Sequence, residues 1–412
     1  MQITDQPKFI INVPLSHAAS GYVAVDTLCR GTSSGGLRVA GDLDIDEVQT
    51  LAREMTLKFA FVGLPRGGAK SGIRLPVACD RETKHIILRE FGERLERIIG
   101  CGIYFPGMDM NCGPDDLRSV YAGAGITLGS ITDTSFHTAL TVEAALMAIH
   151  AMDGGKRPLS IAVEGFGAVA SHLFQRLSPD IFRIKTVSNI TGAVCNPDGF
   201  DGREIVSLRA LHGDEFITYL AKKGAELIEP KERLLTSDVD ILLPSARIHA
   251  LNEGNAKAVC ARYIVPVSNA PYTPGALSVL HSRGVVCLPG FGCNVGGVLG
   301  STLEDLGLKR YEVEGFIMES YYPVMILLLD VAKDNQISPT DLAMKIALAR
   351  LDTRKVNDYP DRDGLLKKLA RRGLWPKEQI HREAVFNIKK GLISLVEELT
   401  NFKGSSQSRC DK

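Results

Sequence analysis

The arrangement that most constrains the fold of this chain lies between residues 138 and 300, where short β-rich runs alternate with helical stretches. Strands that alternate with helices favour a parallel sheet with crossover helices on its faces. The strand candidates are Leu159–Val163, Arg183–Val187, Val239–Leu243, Tyr263–Val267 and Val285–Leu288. The predicted fold class is therefore α/β, with a doubly wound sheet in this part of the chain.

A glycine-rich turn follows the first of these strands, and a helical pattern, Ser171–Leu177, follows the turn. The turn consists of Gly165, Phe166, Gly167, Ala168, Val169 and Ala170. In Rossmann folds the first glycine of a GxGxxA turn permits a tight bend, and the second lets backbone amides approach a pyrophosphate. Glycine makes up 40 of the 412 residues, so the motif alone is a weak signal. Its position between strand and helix predicts a dinucleotide-binding domain.

The second strand of a Rossmann unit usually ends in an acidic residue that binds the adenosine ribose. Here the strand ends in Asn189, so the acid is missing. An amide can bind a ribose hydroxyl and does not repel a 2′-phosphate, so NAD is slightly favoured and NADP stays open. Alternatively, Asn189 is a turn residue before Thr191 and Gly192.

A chain of 412 residues is too long for one ordinary core, so we expect two domains. Residues 1–136 are predicted to form a substrate-binding and oligomerisation domain, completed by C-terminal helices within 312–412. Residues 137–311 are predicted to form the Rossmann domain, with a cleft between the two domains. The charged stretch 352–412 could cap the substrate domain or mediate assembly.

The composition is that of an ordinary globular protein, with 45% hydrophobic and 23% charged residues and a formal net charge of zero. Since the chain carries no basic patch, we expect no nucleic-acid partner. The longest apolar run, Tyr321–Leu329, is shorter than a membrane span, so we expect no membrane association. Nine cysteines without CxxC pairs or zinc-site spacing indicate a cytoplasmic protein without a metal site.

Two lysines and an aspartate in the first third of the chain predict a small-molecule site. Lys58 follows apolar residues at helical spacing within Asp44–Ala60, so it would project from a buried face. Lys70 belongs to Gly67–Gly72, which resembles a loop that a ligand can approach closely. Asp109 follows a strand-like run, in the turn before the next helix. Buried charges cost stability unless an anion or a reacting group is present.

Six short segments occur in a fixed order along the chain. They are Ser34-Gly35-Gly36-Leu37-Arg38, Met55-Thr56-Leu57-Lys58, Gly67-Gly68-Ala69-Lys70, Met108-Asp109, the GxGxxA turn and Asn294-Val295-Gly296-Gly297-Val298. Together they resemble the glutamate/leucine/phenylalanine/valine dehydrogenase superfamily from about residue 20 to about residue 350. The short N-terminus and the short segment between Asp109 and Thr138 are more similar to the leucine/phenylalanine branch.

Members of this family oxidatively deaminate an L-amino acid to a 2-oxo acid and ammonia while they reduce a nicotinamide cofactor. The resemblance implies that Lys58 holds the substrate α-carboxylate and that Gly36 lies beside it. Lys70, with a pKa lowered by burial and by a cationic neighbour, would polarise the attacking water. Asp109 would act as general acid and base.

The resemblance also suggests how the chain binds its cofactor and assembles. Thr138 and Asn269 would hold the carboxamide and ribose end of the cofactor, and Asn294 would orient substrate or cofactor nearby. Both asparagines could instead be ordinary turn residues. The family implies a homo-oligomer, for which the sequence itself offers only the apolar segment Phe9–Val13.

The residues that would line the side-chain pocket are Ser34, Gly107, Val298 and Ser301. Glutamate-specific members carry a lysine at the position of Ser34, which pairs with the side-chain carboxylate of the substrate. Without that lysine a glutamate complex should lose several kcal/mol. Three of the four residues are small, so we predict a roomy pocket for an aromatic or polar uncharged side chain.

Three other functions remain open. Glutamate dehydrogenase is one, and Ser34 argues against it. A non-catalytic relative that binds nucleotide or amino acid is another, and the presence of Lys58, Lys70 and Asp109 together argues against that. A Rossmann oxidoreductase that acts on a hydroxy acid is the third, but such enzymes usually need a histidine, and none stands at a matching position. At the level of single residues, Lys58 could lie on a helix surface, Lys70 could be a loop lysine, and Asp109 could cap a helix.

Overall fold

The computed structural model describes residues 7–76, 79–356 and 377–410. Contacts divide the chain into two compact units. The first comprises Met1–Thr132 and Arg350–Leu374, and the second comprises Asp133–Ala349 and Trp375–Lys412. Much of the charged stretch for which we predicted a capping or assembly role, residues 357–376, lies outside the described residues.

The first unit is built from five strands and four helices within residues 7–76 and 79–132. Its strands are β1 (Phe9–Pro14), β2 (Ser20–Val25), β3 (Ser33–Ala40), β4 (Gly67–Arg74) and β5 (Tyr104–Met108). Its helices are α1 (Ile45–Phe61), α2 (Arg81–Arg94), α3 (Glu96–Gly100) and α4 (Pro114–Gly123). The strands form one sheet in the order β1-β2-β4-β3-β5, in which β3 runs parallel to β4 and β5. Helix α1 packs on one face of this sheet, and α2 and α4 pack together with the other face.

The predicted helix Asp44–Ala60 is confirmed, with bounds of Ile45–Phe61. Asp44 is its N-cap, and the carboxylate accepts a hydrogen bond from the backbone N–H of Glu47. Asp46 and Glu47 in the first turn complement the helix dipole. The buried face of α1 includes Lys58, as the spacing predicted.

The prediction of a loop at Gly67–Gly72 is wrong, because this segment belongs to strand β4 between β2 and β3. The glycines serve close packing in this strand. A Cβ added at Gly68 would lie 2.1 Å from the backbone nitrogen of Thr56 in α1. Glycine is required there because the helix lies directly on the strand, and not because a ligand approaches a loop.

The second unit contains a second sheet and most of the helices. Its strands are β6 (Leu159–Glu164), β7 (Phe182–Ser188), β8 (Ala193–Phe200), β9 (Glu226–Leu227), β10 (Ile241–Pro244), β11 (Tyr263–Ile264) and β12 (Val286–Cys287). Its helices are α5 (Thr134–Met152), α6 (Ala168–Phe174), α7 (Gly202–His212), α8 (Phe216–Lys222), α9 (Pro274–Ser282), α10 (Gly290–Cys293), α11 (Gly296–Asp305), α12 (Arg310–Ser320), α13 (Tyr322–Asp334), α14 (Pro339–Val356) and α15 (Lys377–Cys410). Short 3₁₀ segments occur at Gly213–Glu215, Lys231–Thr236 and Ala256–Ala258. Helix α14 continues into the first unit from Arg350.

The order of the second sheet is β12-β11-β10-β6-β7-β8-β9. All five predicted strands are present, and they run parallel to one another, which confirms the α/β prediction. Strands β8 and β9, which the sequence pattern did not predict, extend the sheet in antiparallel fashion beyond β7. Strand β7 pairs with one edge of β6, and β10 pairs with the other edge. The strand order therefore reverses between β6 and β10, and their carboxyl ends form a topological switch point.

The contact division differs from the predicted assignment of 312–412 to the first domain. It places α12, α13 and α14 up to Ala349 in the second unit, because α12 and α13 pack against α5. The helical stretch Arg310–Asp334 is long and apolar enough to cross a membrane by length and composition alone. Within it Val324, Met325 and Leu328 are fully buried, as in a core helix of a folded domain.

Candidate active site

Lys58 and Lys70 reach the same side of the first sheet from different elements. Alternation along β4 directs Gly68 and Lys70 toward the face on which α1 packs. Lys58 lies in the last turn of α1. Both lysines are buried, with 6% and 2% of their surface exposed. The structure therefore brings together the two ammonium groups that the sequence analysis selected.

Asp109 contacts Lys70 directly. The Nζ atom of Lys70 lies 2.6 Å from Oδ2 of Asp109. Asp109 lies in a turn directly after β5. The backbone N–H of Cys112 donates a hydrogen bond to the carbonyl of Asp109 at 3.0 Å and closes this turn. A Cβ added at Gly36 in β3 would lie 2.7 Å from Cβ of Asp109, so a bare backbone is needed beneath this side chain.

A second cation on Asp109 was missed by the sequence analysis, which quoted Arg38 only as part of a motif. The Nε of Arg38 donates to Oδ2 of Asp109 at 3.1 Å, and its Nη1 donates to Glu47. Arg38 is 5% exposed and follows Gly36 by two strand positions, so it shares the face of Lys70. That alternation was the available signal, but the pairing with Asp109 depends on the tertiary structure.

Burial and neighbouring charges shift the pKa values of these groups. Burial lowers the pKa of Lys58 to about 8, and Lys70 acts in the same direction against the opposing charge of Glu54. Burial also lowers the pKa of Lys70, opposed by Asp109 and assisted by Arg38. The predicted decrease for Lys70 is confirmed. Burial alone would raise the pKa of Asp109, but Lys70 and Arg38 hold it well below its usual range. Asp109 is therefore ionised at neutral pH.

Hydrogen bonds attach the turn that carries Asp109 to strand β3 and helix α2. The Nδ2 of Asn111 donates to the carbonyl of Val39 in β3 at 3.0 Å, from a residue with a φ of 57°. The Nζ of Lys84 in α2 donates to the carbonyl of Asn111 and to Oδ2 of Asp116, both at 2.8 Å. These contacts fix the backbone on either side of the carboxylate.

Ser34 and Gly107 lie on the strands next to this centre. The hydroxyl of Ser34 in β3 donates to the carbonyl of Phe105 in β5 at 3.0 Å. Gly107 pairs with Gly36, and a Cβ added there would meet nothing within 4 Å. Arg66, which the sequence analysis did not select, places its guanidinium carbon 5.3 Å from the ring centroid of Phe105. A cation therefore lies over the ring of Phe105, whose carbonyl binds Ser34, although residue 34 is not the lysine expected of a glutamate enzyme.

The glycine turn of the second unit leads from β6 into α6. Gly165 has a φ of 92°, in the left-handed region that favours glycine. Gly167 caps α6, and a Cβ added there would meet nothing within 4 Å. The ring of Phe166 is buried against the rings of Phe174 and Phe216, so this side chain belongs to the core, and a contact of its backbone with the cofactor stays a prediction. Ala168 and Val169 form the first turn of α6.

Asn189 uses its side chain within its own turn. Its Oδ1 accepts hydrogen bonds from the backbone N–H groups of Thr191 at 2.8 Å and Gly192 at 3.3 Å. Its Nδ2 donates to the carbonyl of Asp214 at 2.6 Å. These contacts are those of a turn residue, which was the alternative prediction for Asn189. A contact of Asn189 with the ribose stays a prediction.

Asn294 and Asn269 lie together in the second unit. The Nδ2 of Asn294 donates to the carbonyls of Ser268 at 2.8 Å and Val267 at 3.1 Å, and it lies 3.3 Å from Oδ1 of Asn269. Among the residues that the structure describes, Oδ1 of Asn294 and Oγ of Ser268 are buried without a hydrogen-bond partner. Such groups are costly unless a ligand or water binds them.

The other selected residues of the second unit lie on α5 and α11. Thr138 in α5 donates its hydroxyl to the carbonyl of Thr134 at 2.8 Å. Ser301 donates its hydroxyl to the carbonyl of Val298, one turn earlier in α11, at 3.4 Å. Since Ser34 and Gly107 belong to the first unit, the side-chain pocket that would join the four residues stays a prediction.

Two family models match the chain. A model described as Glutamate/Leucine/Phenylalanine/Valine dehydrogenase matches residues 125–348, and the Glu/Leu/Phe/Val dehydrogenase dimerisation domain matches residues 12–123. The chain belongs to this family. The family that the six segments predicted is therefore confirmed, and the protein is a member of an amino-acid dehydrogenase superfamily.

Similar curated members of the dehydrogenase family are named glutamate dehydrogenases. The enzyme of Thermotoga maritima is 31% identical over 370 residues, which cover 83% of this chain and 87% of the relative. An NADP-specific enzyme of Saccharolobus shibatae is 29% identical over 74% of this chain and 77% of the relative. An NAD-specific enzyme of Halobacterium salinarum is 30% identical over 72% of this chain and 71% of the relative. These relatives do not support the predicted placement in the leucine/phenylalanine branch.

Solved structures show the same fold. The hetero-hexameric glutamate dehydrogenase of Thermus thermophilus matches with a TM-score of 0.71 and 22% identity, over 86% of this chain and 91% of that one. The L-tryptophan dehydrogenase of Nostoc punctiforme matches with a TM-score of 0.58 and 20% identity, over 86% and 98%. At this level of identity the likeness establishes the fold alone.

Proposed function

We propose that this dehydrogenase catalyses the reversible, NAD(P)-dependent oxidative deamination of an L-amino acid to a 2-oxo acid and ammonia. The observation that carries the proposal is the buried contact of Lys70 and Asp109 at 2.6 Å, with buried Lys58 on the same side of the sheet. Burying these charges costs free energy that apolar residues would not cost, so a stabilising role alone explains them poorly.

The second unit fits a dinucleotide in two places. At Gly167 the backbone is open to a ligand, since an added Cβ would meet nothing within 4 Å. The buried oxygens of Asn294 and Ser268, which have no partner within the described parts of the chain, fit the amide of a nicotinamide carboxamide. Gly165, Gly167 and Asn294 would hold NAD or NADP, and relatives of both specificities occur. When bound, the nicotinamide accepts the hydride that leaves the substrate Cα.

The residues of the first unit supply the remaining chemistry. The Lys58 ammonium pairs with the substrate α-carboxylate and orients Cα. Lys70 polarises the water that attacks the substrate imine and stabilises the oxygen of the resulting carbinolamine. Asp109 carries protons among the amine, the water and the carbinolamine. Asp109 readily gives up a proton that it accepts, because Arg38 and Lys70 hold its pKa below its usual range. Burial favours the neutral form of Lys70, which can take up that proton.

We propose that the substrate has a non-acidic side chain, aromatic or polar. The hydroxyl of Ser34 is already bonded to the carbonyl of Phe105, and residue 34 offers no ammonium to a side-chain carboxylate. Glutamate is the second candidate, because similar relatives are named glutamate dehydrogenases and because the guanidinium of Arg66 lies over the ring of Phe105, the residue whose carbonyl binds Ser34. A guanidinium there could pair with a carboxylate.

The test is the formation of reduced cofactor by the purified protein with each protein amino acid, with NAD and NADP in parallel. We expect one non-acidic amino acid to be clearly preferred. A preference for glutamate that Arg66→Ala abolishes would establish the second candidate. No reduction with any amino acid, although the dinucleotide binds in a calorimetric titration, would contradict the proposed reaction for this set of substrates.

We expect Ser34→Lys to raise kcat/KM for glutamate by about tenfold or more, since a buried charge pair is restored. Initial rates at subsaturating glutamate measure the effect. Ser34→Ala is the matched control, because it removes the hydroxyl without adding a charge, and no gain is expected. Equal rates with glutamate for Ser34→Lys and for the native protein would show that residue 34 does not line the side-chain pocket.

We also propose that the protein is a cytoplasmic homo-oligomer. A dimerisation-domain model matches residues 12–123, and the Thermus thermophilus enzyme of the same fold is hetero-hexameric. Strand β1 is an edge strand whose Ile10 is 40% exposed, which is the kind of surface that a second copy can cover.

A further inference from the structure

The turn after β7 is the place where a Rossmann fold reads the adenosine ribose of its cofactor. In this dehydrogenase the turn begins with Asn189, whose Oδ1 and Nδ2 are both engaged by the backbone of Thr191, Gly192 and Asp214. Oδ1 also accepts a hydrogen bond from the Thr191 hydroxyl at 2.7 Å, so the side chain would have to leave four hydrogen bonds to bind a ribose hydroxyl. Another residue is therefore needed to recognise the 2′ substituent.

Lys231 reaches this turn from a distant part of the chain. It begins the 3₁₀ segment Lys231–Thr236, and its Nζ donates to the carbonyl of Ile190 at 3.0 Å. Across the described residues this is the one hydrogen bond of the ammonium, which leaves two N–H groups for a ligand. The Ile190 side chain is 76% exposed, so the turn itself is open to solvent.

Two cations lie near the carboxyl end of β6. The carboxylate of Glu164 at the carboxyl end of β6 feels the charges of Lys231 and Arg247, so both cations lie near the switch point. Glu164 itself is occupied by the backbone N–H groups of Ser245 and Ala246, each at 3.2 Å. Asp214 contributes only its backbone carbonyl to the turn.

We propose that Lys231 forms a binding site for the 2′-phosphate of NADP, so that the protein prefers NADP to NAD. This inference rests on the proposed function, because it assumes a dinucleotide site at the glycine turn. It reverses the slight preference for NAD that the sequence suggested at Asn189. An ammonium anchored on the carbonyl of Ile190 supplies the charge-assisted hydrogen bonds that a 2′-phosphate requires and a 2′-hydroxyl does not.

The test is a calorimetric titration of the full-length protein with 2′,5′-ADP and, separately, with 5′-AMP, which differ only in the 2′-phosphate. We expect 2′,5′-ADP to bind about tenfold more tightly or better, as one charge-assisted contact implies. Lys231→Gln should remove this difference and leave the Kd of 5′-AMP unchanged. Lys231→Arg should keep it. Lys222→Gln is the matched control, since this exposed lysine lies on α8 of the same unit.

The outcomes separate the two proposals. If 5′-AMP binds and 2′,5′-ADP binds no more tightly, the Lys231 proposal fails while the proposed reaction stands. The Lys231 proposal also fails, and the proposed reaction still stands, if Lys231→Gln and Lys222→Gln reduce the affinity for 2′,5′-ADP equally. If neither ligand binds, the dinucleotide site fails, and the proposed function fails with it. An unchanged Kd of 5′-AMP in each variant also shows that the unit is folded.

Discussion

Replacing Lys70 with alanine should lower kcat by about three orders of magnitude, because the variant loses both the group that polarises water and the proton relay of Asp109. The affinity for dinucleotide should stay within twofold of the native value, since the glycine turn lies in the other unit. Steady-state rates with the preferred amino acid, together with a calorimetric Kd for the cofactor, measure both quantities.

The pH dependence of Lys70→Ala gives a second readout. Burial lowers the pKa of Lys70, so loss of its proton should produce a rising limb of kcat/KM with increasing pH, and the variant should lack that limb.

Ser71→Ala is a suitable control for Lys70→Ala. Ser71 is the next residue in β4, points to the opposite face and bonds Tyr104 at 2.6 Å, so its loss should reduce stability slightly and leave kcat unchanged. A Lys70→Ala variant that keeps its turnover would exclude Lys70 from the chemistry. Loss of cofactor binding together with turnover would indicate misfolding.

The second large effect is expected for Asp109→Asn, which should reduce kcat by about two to four orders of magnitude. An amide cannot accept the protons that pass among amine, water and carbinolamine. The carboxylate also raises the pKa of Lys70, so its removal should lower that pKa further and move the rising limb of the pH profile to lower pH. Rates measured over a pH series check both effects.

Asp109→Asn should also cost stability, by about 3 kcal/mol, because Lys70 and Arg38 are buried and lose their common anion. Urea unfolding of Asp109→Asn and of Asp115→Asn measures the loss in the free energy of unfolding. Asp115 is the matched control, since it is an exposed aspartate in the first turn of α4 with surface partners only. A stable, inactive Asp109→Asn protein would mean that the carboxylate contributes to catalysis and little to folding.

The elements that the sequence predicted well are those whose signals are local. Helix α1 was expected at Asp44–Ala60, because apolar residues recur there at helical spacing. The five parallel strands and the glycine turn after β6 were recognised in the same way. Each of these patterns depends on residues within about one element length, and the tertiary packing of these segments agrees with the local pattern.

The segment Gly67–Gly72 shows where local evidence misleads. Glycines are typical of loops, but here they lie in strand β4, because α1 packs so closely that Gly68 has no room for a Cβ. A sequence reveals that small residues recur, and it does not reveal which neighbouring element requires them.

The sequence by itself determined a glycine turn between a strand and a helix and two buried lysines with an aspartate nearby. Only the tertiary structure decided which charges meet. Arg38 and Asp109 are 71 residues apart in sequence, and Lys231 and Ile190 are 41 apart. These pairs form because strand order and register bring distant segments to one face or one edge of a sheet. That order is set by burial of the whole apolar surface, which no local pattern encodes.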